Sequence, residues 1–578
     1  MLPKSRRCAA LAGAVVLTFS GLAHAHDHDE DMAMNMAPSL SPATPSKSAA
    51  DTYFQYGGNS APILAHIVLM TIGWVFVLPI SVMFSISRSR FSLPSQFVFL
   101  AVNAIGVLLA SIYNASTPDL YPNNAHHKLG WVLTWVMGAQ LVMGVIHSYA
   151  RKSRSTSAGF TPISAEAITE HQRVHSMRQA QIYRLSNDSG QGTEPNTESL
   201  RSSPLASTDS VDNLPELQLQ TEDEDEFEEK HGLMHGTAVD TYLTKKIPAL
   251  ISSRLTRVLE FPYNAIDRLV LILGFVAIAS GIVTYGGFFM GSRVFSGLAH
   301  FIKGGVFFWY GILTLGRWAG CFADLGWSWN INPSRKNRPS AEFVESFLIF
   351  FYGSTNVFLE HLAAWGKEWT AQDLEHLSLT LMFFGGGLCG MVIESKNVRS
   401  LVNTTKKSAM SHFPHHAGEP EATEEPKTYR FSMNPLPALV ILLLGKMMSS
   451  HHQESMVSTM IHTQWGTLLM GAAFARGATY ILYYLSPPTS VLPGRPPTEL
   501  ITAFCLMAGG MIFMASARDT VMAMEDNGLD AMFIFTVSMG VITFLMAWII
   551  TVIAIKGWAV RKENRTHACH GDACHGVA

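Results

Sequence analysis

Apolar and polar residues follow one another along this chain in long blocks. They show neither the two-residue rhythm of half-buried strands nor the narrow stripe of a surface helix. Apolar runs occupy 61–86, 96–113, 129–150, 267–289, 298–318, 341–360, 374–394, 434–449, 461–485, 499–516 and 531–556, eleven in all. A helical crossing takes about 20 residues, because the hydrocarbon is about 30 Å thick and each residue rises 1.5 Å. The pattern predicts an all-α polytopic membrane protein of about eleven transmembrane helices, with the run at 434–449 the shortest. A polar stretch at 151–264 splits the runs into a three-helix membrane domain (61–150) and eight further helices. A second polar insert, 395–432, divides those eight into helices 4–7 (265–394) and 8–11 (433–558).

Composition agrees. Of 578 residues 48% are hydrophobic and 15% charged, well under the usual quarter. A net charge of −3 gives no basis for nucleic-acid binding, and six scattered cysteines imply no disulfide framework. The 151–264 stretch carries the acidic run Glu222 to Glu226 with Glu228 and Glu229. It has too little apolar surface to fold alone and reads as a disordered cytosolic linker. Its end, 243–259, mixes Lys245, Lys246, Arg254 and Arg257 with apolar residues, as an amphipathic helix on an anionic leaflet would.

Residues 1–25 have the form of a secretory signal: Lys4, Arg6 and Arg7, an apolar core, then Ala23-His24-Ala25. Cleavage there starts the mature chain at His26-Asp27-His28 in a lumenal His/Met-rich leader (26–60). A free amine with His28 at the third position is a Cu(II)-chelating arrangement, and Met32, Met34 and Met36 suit Cu(I); a plain polar leader is the alternative. The N-terminus is then lumenal or extracellular and the C-terminus cytosolic. Basic residues fall where that topology wants them: Arg88 and Arg90; Arg151, Lys152 and Arg154; Arg335, Lys336 and Arg338; Lys396 and Arg399; Lys556, Arg561 and Lys562.

This topology gives each histidine a depth. His66, His126, His127, His300, His361, His376, His451, His452 and His462 all fall toward the lumenal side, with Glu360, Glu375 and Glu454 adjacent. Ionisable residues at such positions are functional candidates; a wet interfacial belt is the bland alternative. His66 and His127 lie at matching depth on alternate helices, as two ligands clamping a haem iron would. His147 is 20 residues from His127, about 30 Å along one helix, so those two cannot share an iron. The turn holding Met447, Met448, His451, His452, Met456, Met460 and His462 concentrates the soft ligands that copper selects, although methionine equally fills gaps in apolar packing. Together with His300, His361 and His376 it forms a candidate His/Met metal layer in the eight-helix part. The cytosolic tail (559–578) ends in Cys569, His570, Cys574 and His575, ligands for Cu(I) or Zn. Arg317, Arg476 and Glu345 are intramembrane charges, suited to a structural ion pair or to an ion path.

The stretches APILAHIVLMTIGWVFVLP (61–79) and HHKLGWVLTWVMGAQLVMG (126–144) resemble the opening helices of cytochrome b-561 type transmembrane domains. That resemblance implies His66 and His127 as ligands of one haem b; the second helix lacks histidine, so a second haem has no place. The whole arrangement resembles the fungal Ytp-type family, carried by HFIKGGVFFWYGILTLGRWAG (300–320), NVFLEH (356–361) and HHQESMVSTMIHTQWGTLL (451–469). This resemblance brings no activity with it. Three readings stand. The first is a redox, electron-transfer or metal-handling membrane protein which, if an enzyme, is a haem- or copper-dependent oxidoreductase with an electron donor or acceptor. The second is a copper or zinc transporter or carrier, and the third a non-catalytic scaffold. In each case the secretory-pathway bilayer (plasma membrane, vacuole, Golgi or ER) is the expected setting.

Overall fold

The protein is described here from a computed structural model covering residues 52–157, 253–332, 338–360, 368–402, 431–450, 453 and 455–572. All regular structure among these residues is helical. In chain order the helices are α1 (Ser60–Ile86), α2 (Ser92–Ser116), α3 (Ala125–Ser157), α4 (Ser253–Gly286), α5 (Val294–Ala319) and α6 (Ala341–Glu360). They continue with α7 (Ala371–Glu394), α8 (Lys396–Val402), α9 (Leu436–Ser450), α10 (Met456–Leu485), α11 (Pro497–Ala515), α12 (Arg518–Asp526) and α13 (Ala531–Asp572). The chain divides into two compact units, Met1–Gly138 with Asp267–Arg565, and Ala139–Ile266 with Thr566–Ala578. His66, His126 and the buried charges of α5, α6, α10 and α11 lie in the first.

Nine of the described helices are long and apolar enough to cross a membrane: α1 to α5, α7, α10, α11 and α13. Two of the eleven predicted runs differ. Helix α9 has 15 residues, about 22 Å, which falls short of a 30 Å hydrocarbon layer. Helix α6 has the length but carries buried Glu342, Glu345 and Asn356. Its polar groups are answered inside the protein, Asn356 Nδ2 donating to Thr380 Oγ1 at 3.0 Å.

Helix α1 contains one π turn, Ile72–Val77. A wider turn takes carbonyls out of the regular ladder, and Trp548 Nε1 of α13 donates to Val75 O at 2.9 Å. The same turn seats Trp74, whose Nε1 donates to Asn103 Oδ1 at 3.1 Å. Asn103 Nδ2 then donates to Thr134 Oγ1 at 3.1 Å, so one buried amide joins α1, α2 and α3.

The central packing lies among α5, α9, α10 and α11. Trp465 is fully buried and stacks on Phe513 with centroids 4.2 Å apart. In lipid, helices gain little from hiding apolar surface, so they associate by close backbone approach at small residues. At the α5–α11 crossing Gly304 and Gly510 face each other: a Cβ on Gly304 would stand 2.6 Å from Gly510 O, and one on Gly510 2.5 Å from Gly304 O. Gly445 and Gly466 repeat this between α9 and α10.

Gly510→Leu is therefore expected to destabilise the protein by at least about 1–3 kcal/mol through overpacking, seen as earlier thermal unfolding in detergent. Gly540→Ala, where an added methyl meets nothing within 4 Å, should unfold no earlier than the parent. Equal melting of both variants would show that the glycine contact does not set the α5–α11 distance.

Candidate functional site

His66 lies on α1 before the π turn, and its Nδ1 is 2.8 Å from Gly106 O of α2. His126 is the second residue of α3; its Nδ1 is 3.1 Å from Ala277 O and 3.2 Å from Ser280 Oγ, both on α4. Gly281 makes room for this ring, since a Cβ there would stand 3.0 Å from it. A carbonyl only accepts, so each Nδ1 carries the hydrogen and each Nε2 keeps its lone pair. The Ser280 hydroxyl donates to Ala277 O at 2.8 Å, so it too is an acceptor toward His126. Neither Nε2 has a hydrogen-bond partner among the described residues. The two rings stand 6.3 Å apart, nearly perpendicular at 75°.

The ring beside His66 is that of His126 rather than its neighbour. His127, not His126, was the predicted partner of His66, but its side chain is exposed, and its backbone N–H is capped by Asn124 Oδ1 at 2.9 Å. Adjacent residues on a helix point about 100° apart, and the contact with α4 turns His126 inward. Metal–imidazole bonds of about 2.0–2.1 Å, with about 1.1 Å from nitrogen to ring centre, put two opposed imidazole centroids about 6.2–6.4 Å apart. Both rings line a cavity of about 1620 Å³ with mainly apolar walls, among them Trp74 and Phe275. Two neutral imidazoles held in one tautomer by backbone carbonyls, beside apolar walls, are the side chains here that could serve as nitrogen ligands to a haem iron or a copper or zinc ion.

The intramembrane charges form a second cluster. Arg317 donates to Glu345 Oε1 at 2.8 Å, to Glu342 Oε1 at 3.2 Å and to Trp327 O at 2.8 Å, with Trp329 4.4 Å from its guanidinium. Arg476 lies 3.4 Å from Glu345 Oε2. Its Nε stands 2.7 Å from Glu499 Oε1, a close ion pair without the alignment of a hydrogen bond. All five groups are at least 93% buried. Glu345, shared by both arginines, ties α6 to α5 and α10. Glu342 and Glu499 occupy the first turns of α6 and α11, where a carboxylate ordinarily reads as a solvated partner of the helix dipole. That position is why sequence reasoning passed over them. The cluster has the chemistry of an internal clamp.

Of the predicted His/Met layer, His300, His376 and His462 are among the described residues. His300 Nδ1 bonds Ser296 O at 2.9 Å and His462 Nδ1 bonds Ser458 O at 2.8 Å, each within its own helix. Both approach one aromatic stack, His300 5.7 Å from Phe513 and His462 5.9 Å from Trp465. His376 is half-buried near the start of α7. Met448 packs on the core, while Met447, Met456 and Met460 are exposed. No group of three or more His, Cys, Asp or Glu among the described residues is placed to hold an ion. His26, His28, His361, His451, His452, Cys574 and His575 lie outside the described residues, as do the signal, the leader and most of the linker. Cys569 and His570 fall in the last turns of α13.

Residues 273–557 match the family described as Protein YTP1-like, C-terminal, and residues 47–150 match a domain of unknown function, DUF2427. An uncharacterized membrane protein of Schizosaccharomyces pombe is 34% identical over 86% of this chain and 94% of its own length. One from Saccharomyces cerevisiae is 31% identical over 91% of this chain and 88% of its own. Protein YTP1 of Saccharomyces cerevisiae is 22% identical over 58% of this chain and 62% of its own. No solved structure matches the chain.

Removing one member of a buried ion cluster leaves the others uncompensated, at about 3–5 kcal/mol. Glu345→Ala is expected to cost that much in thermal unfolding of the full chain, and Glu342→Ala less, since Glu342 meets one arginine. Unchanged unfolding of Glu345→Ala would remove the clamp role.

Proposed function

The chain belongs to the YTP1-like family of fungal membrane proteins, and from that premise we propose that it holds a transition-metal centre between His66 and His126, in a redox or metal-handling role. The observation that carries the reading is the ring pair: 6.3 Å between centroids, with both Nδ1 atoms engaged by backbone carbonyls. Such hydrogen bonds fix the tautomer and raise the basicity of the opposite nitrogen. A two-imidazole iron or copper centre supplies one-electron chemistry when bound. The chain's own part is to present two neutral nitrogens from α1 and α3 and to keep water away with the apolar walls of the cavity. His127 lies outside this arrangement and is free to meet solvent or a partner.

The centre is a haem b iron or a copper or zinc ion, and its partner an electron donor or acceptor or the ion itself. Depth along α1 and the distribution of basic residues support a position toward the lumenal side of a secretory-pathway membrane. The His/Met layer of the eight-helix part takes second place in this reading, because three of its four methionines point outward.

Absorption and elemental analysis of one purified sample test the proposal. The wild type is expected to show a Soret band or stoichiometric copper or zinc, lost on His66→Ala or His126→Ala and kept on His127→Ala. Ser280→Ala, which removes one acceptor from His126, should weaken metal binding about tenfold. A Soret band assigns a haem redox protein, whereas bare metal without haem favours a carrier. Folded protein with neither metal nor chromophore contradicts the proposal.

A further inference from the structure

The 1620 Å³ cavity is larger than the roughly 300–1,000 Å³ of a small-molecule pocket. It is also long. Its lining runs on α1 from Ile63 to Ile86, 23 residues or about 35 Å of helix, so it follows α1 nearly from end to end.

The two ends differ in charge. At the end near Thr52 and Phe288 the basic residue is Arg293, neutralised by Asp519 at 3.1 Å. At the end near Ile86 and Cys321 the lining includes Arg268, Arg338 and Lys556. None of these three pairs with a carboxylate among the described residues. Asp324 is the acidic side chain of the lining there, and Asp267, which accepts from Ser85 Oγ, stands next to Arg268 in the chain, so three cations less two carboxylates leave one positive charge. The basic distribution along the chain puts this end on the cytosolic side, the leaflet that carries anionic lipid. Between the ends the walls are aliphatic and aromatic, including Phe275, Trp309, Ile312, Trp548 and Val552.

We infer that this cavity is a binding site for an anionic phospholipid, whose headgroup meets Arg268, Arg338 and Lys556 and whose acyl chains lie along α4, α5 and α13. A long apolar slot favours the chains, and unpaired cations at the leaflet surface select the headgroup. A zwitterionic lipid carries no net charge for those cations to select. The headgroup end lies opposite His66 and His126, and the two proposals share only the apolar wall at Phe275.

Delipidated full chain in mixed micelles is titrated with phosphatidylglycerol or phosphatidylcholine brominated on the acyl chains, and tryptophan quenching is followed. Phosphatidylglycerol is expected to reach half-quenching at a mole fraction about tenfold lower or more, in line with the attraction of each basic residue for an anionic leaflet. The triple variant Arg268→Gln, Arg338→Gln, Lys556→Gln should equalise the two lipids at unchanged thermal stability. Trp309→Phe with Trp548→Phe should remove much of the high-affinity quenching and so locate it to the cavity. Equal quenching by both lipids in the wild type overturns the inference. So does a lipid preference that survives in the triple variant, or quenching unchanged by the tryptophan substitutions.

Discussion

Inside a helical bundle surrounded by lipid, no water is at hand to satisfy a polar group, so each must find its partner in the protein. The Arg317–Glu345–Arg476 bridge is the strongest expression of that constraint. Two guanidiniums and three carboxylates, all deeply buried, are tolerable only because they meet at hydrogen-bonding and ion-pair distances. Such a cluster adds little net stability over a well-packed apolar core. It does penalise any arrangement of α5, α6, α10 and α11 that separates its members. The glycine contact at the α5–α11 crossing works on the same helices, setting how near their backbones come. Close packing and charge pairing thus specify one geometry.

The same constraint frames the histidines of the N-terminal helices. Gly106 O and Ala277 O engage Nδ1 of His66 and His126, which leaves each ring with a basic nitrogen facing no protein donor. Two such nitrogens from different helices, beside an apolar cavity, are what the proposed metal centre rests on. His300 and His462 contrast with them, each bonded back to its own helix and packed against an aromatic ring.

Much of this architecture is legible in the sequence, since blocks of apolar residues separated by polar gaps state the helical class and the order of the long helices. The two runs outside the nine long apolar helices differ for reasons equally visible in residues: α9 is short among the described residues, and α6 carries Glu342 and Glu345, which pair with Arg317. Arg317, Arg476 and Glu345 stand out as charges within apolar runs. Glu342 and Glu499 do not, because a carboxylate in a first helical turn looks ordinary until the fold buries it. The choice between His126 and His127 depends on a neighbour 150 residues away, where Gly281 clears space for a ring. The grouping of Arg268, Arg338 and Lys556 at one cavity end is likewise tertiary, since three separate segments contribute.

The central claim, that His66 and His126 are a ligand pair, is tested most directly by X-ray absorption at the metal edge of purified full-length protein. The account predicts a first shell of nitrogen at about 2.0–2.1 Å with outer-shell scattering from imidazole rings, and loss of that imidazole signal in His126→Ala. A sulfur first shell, or an imidazole signal that survives loss of His126, would contradict it.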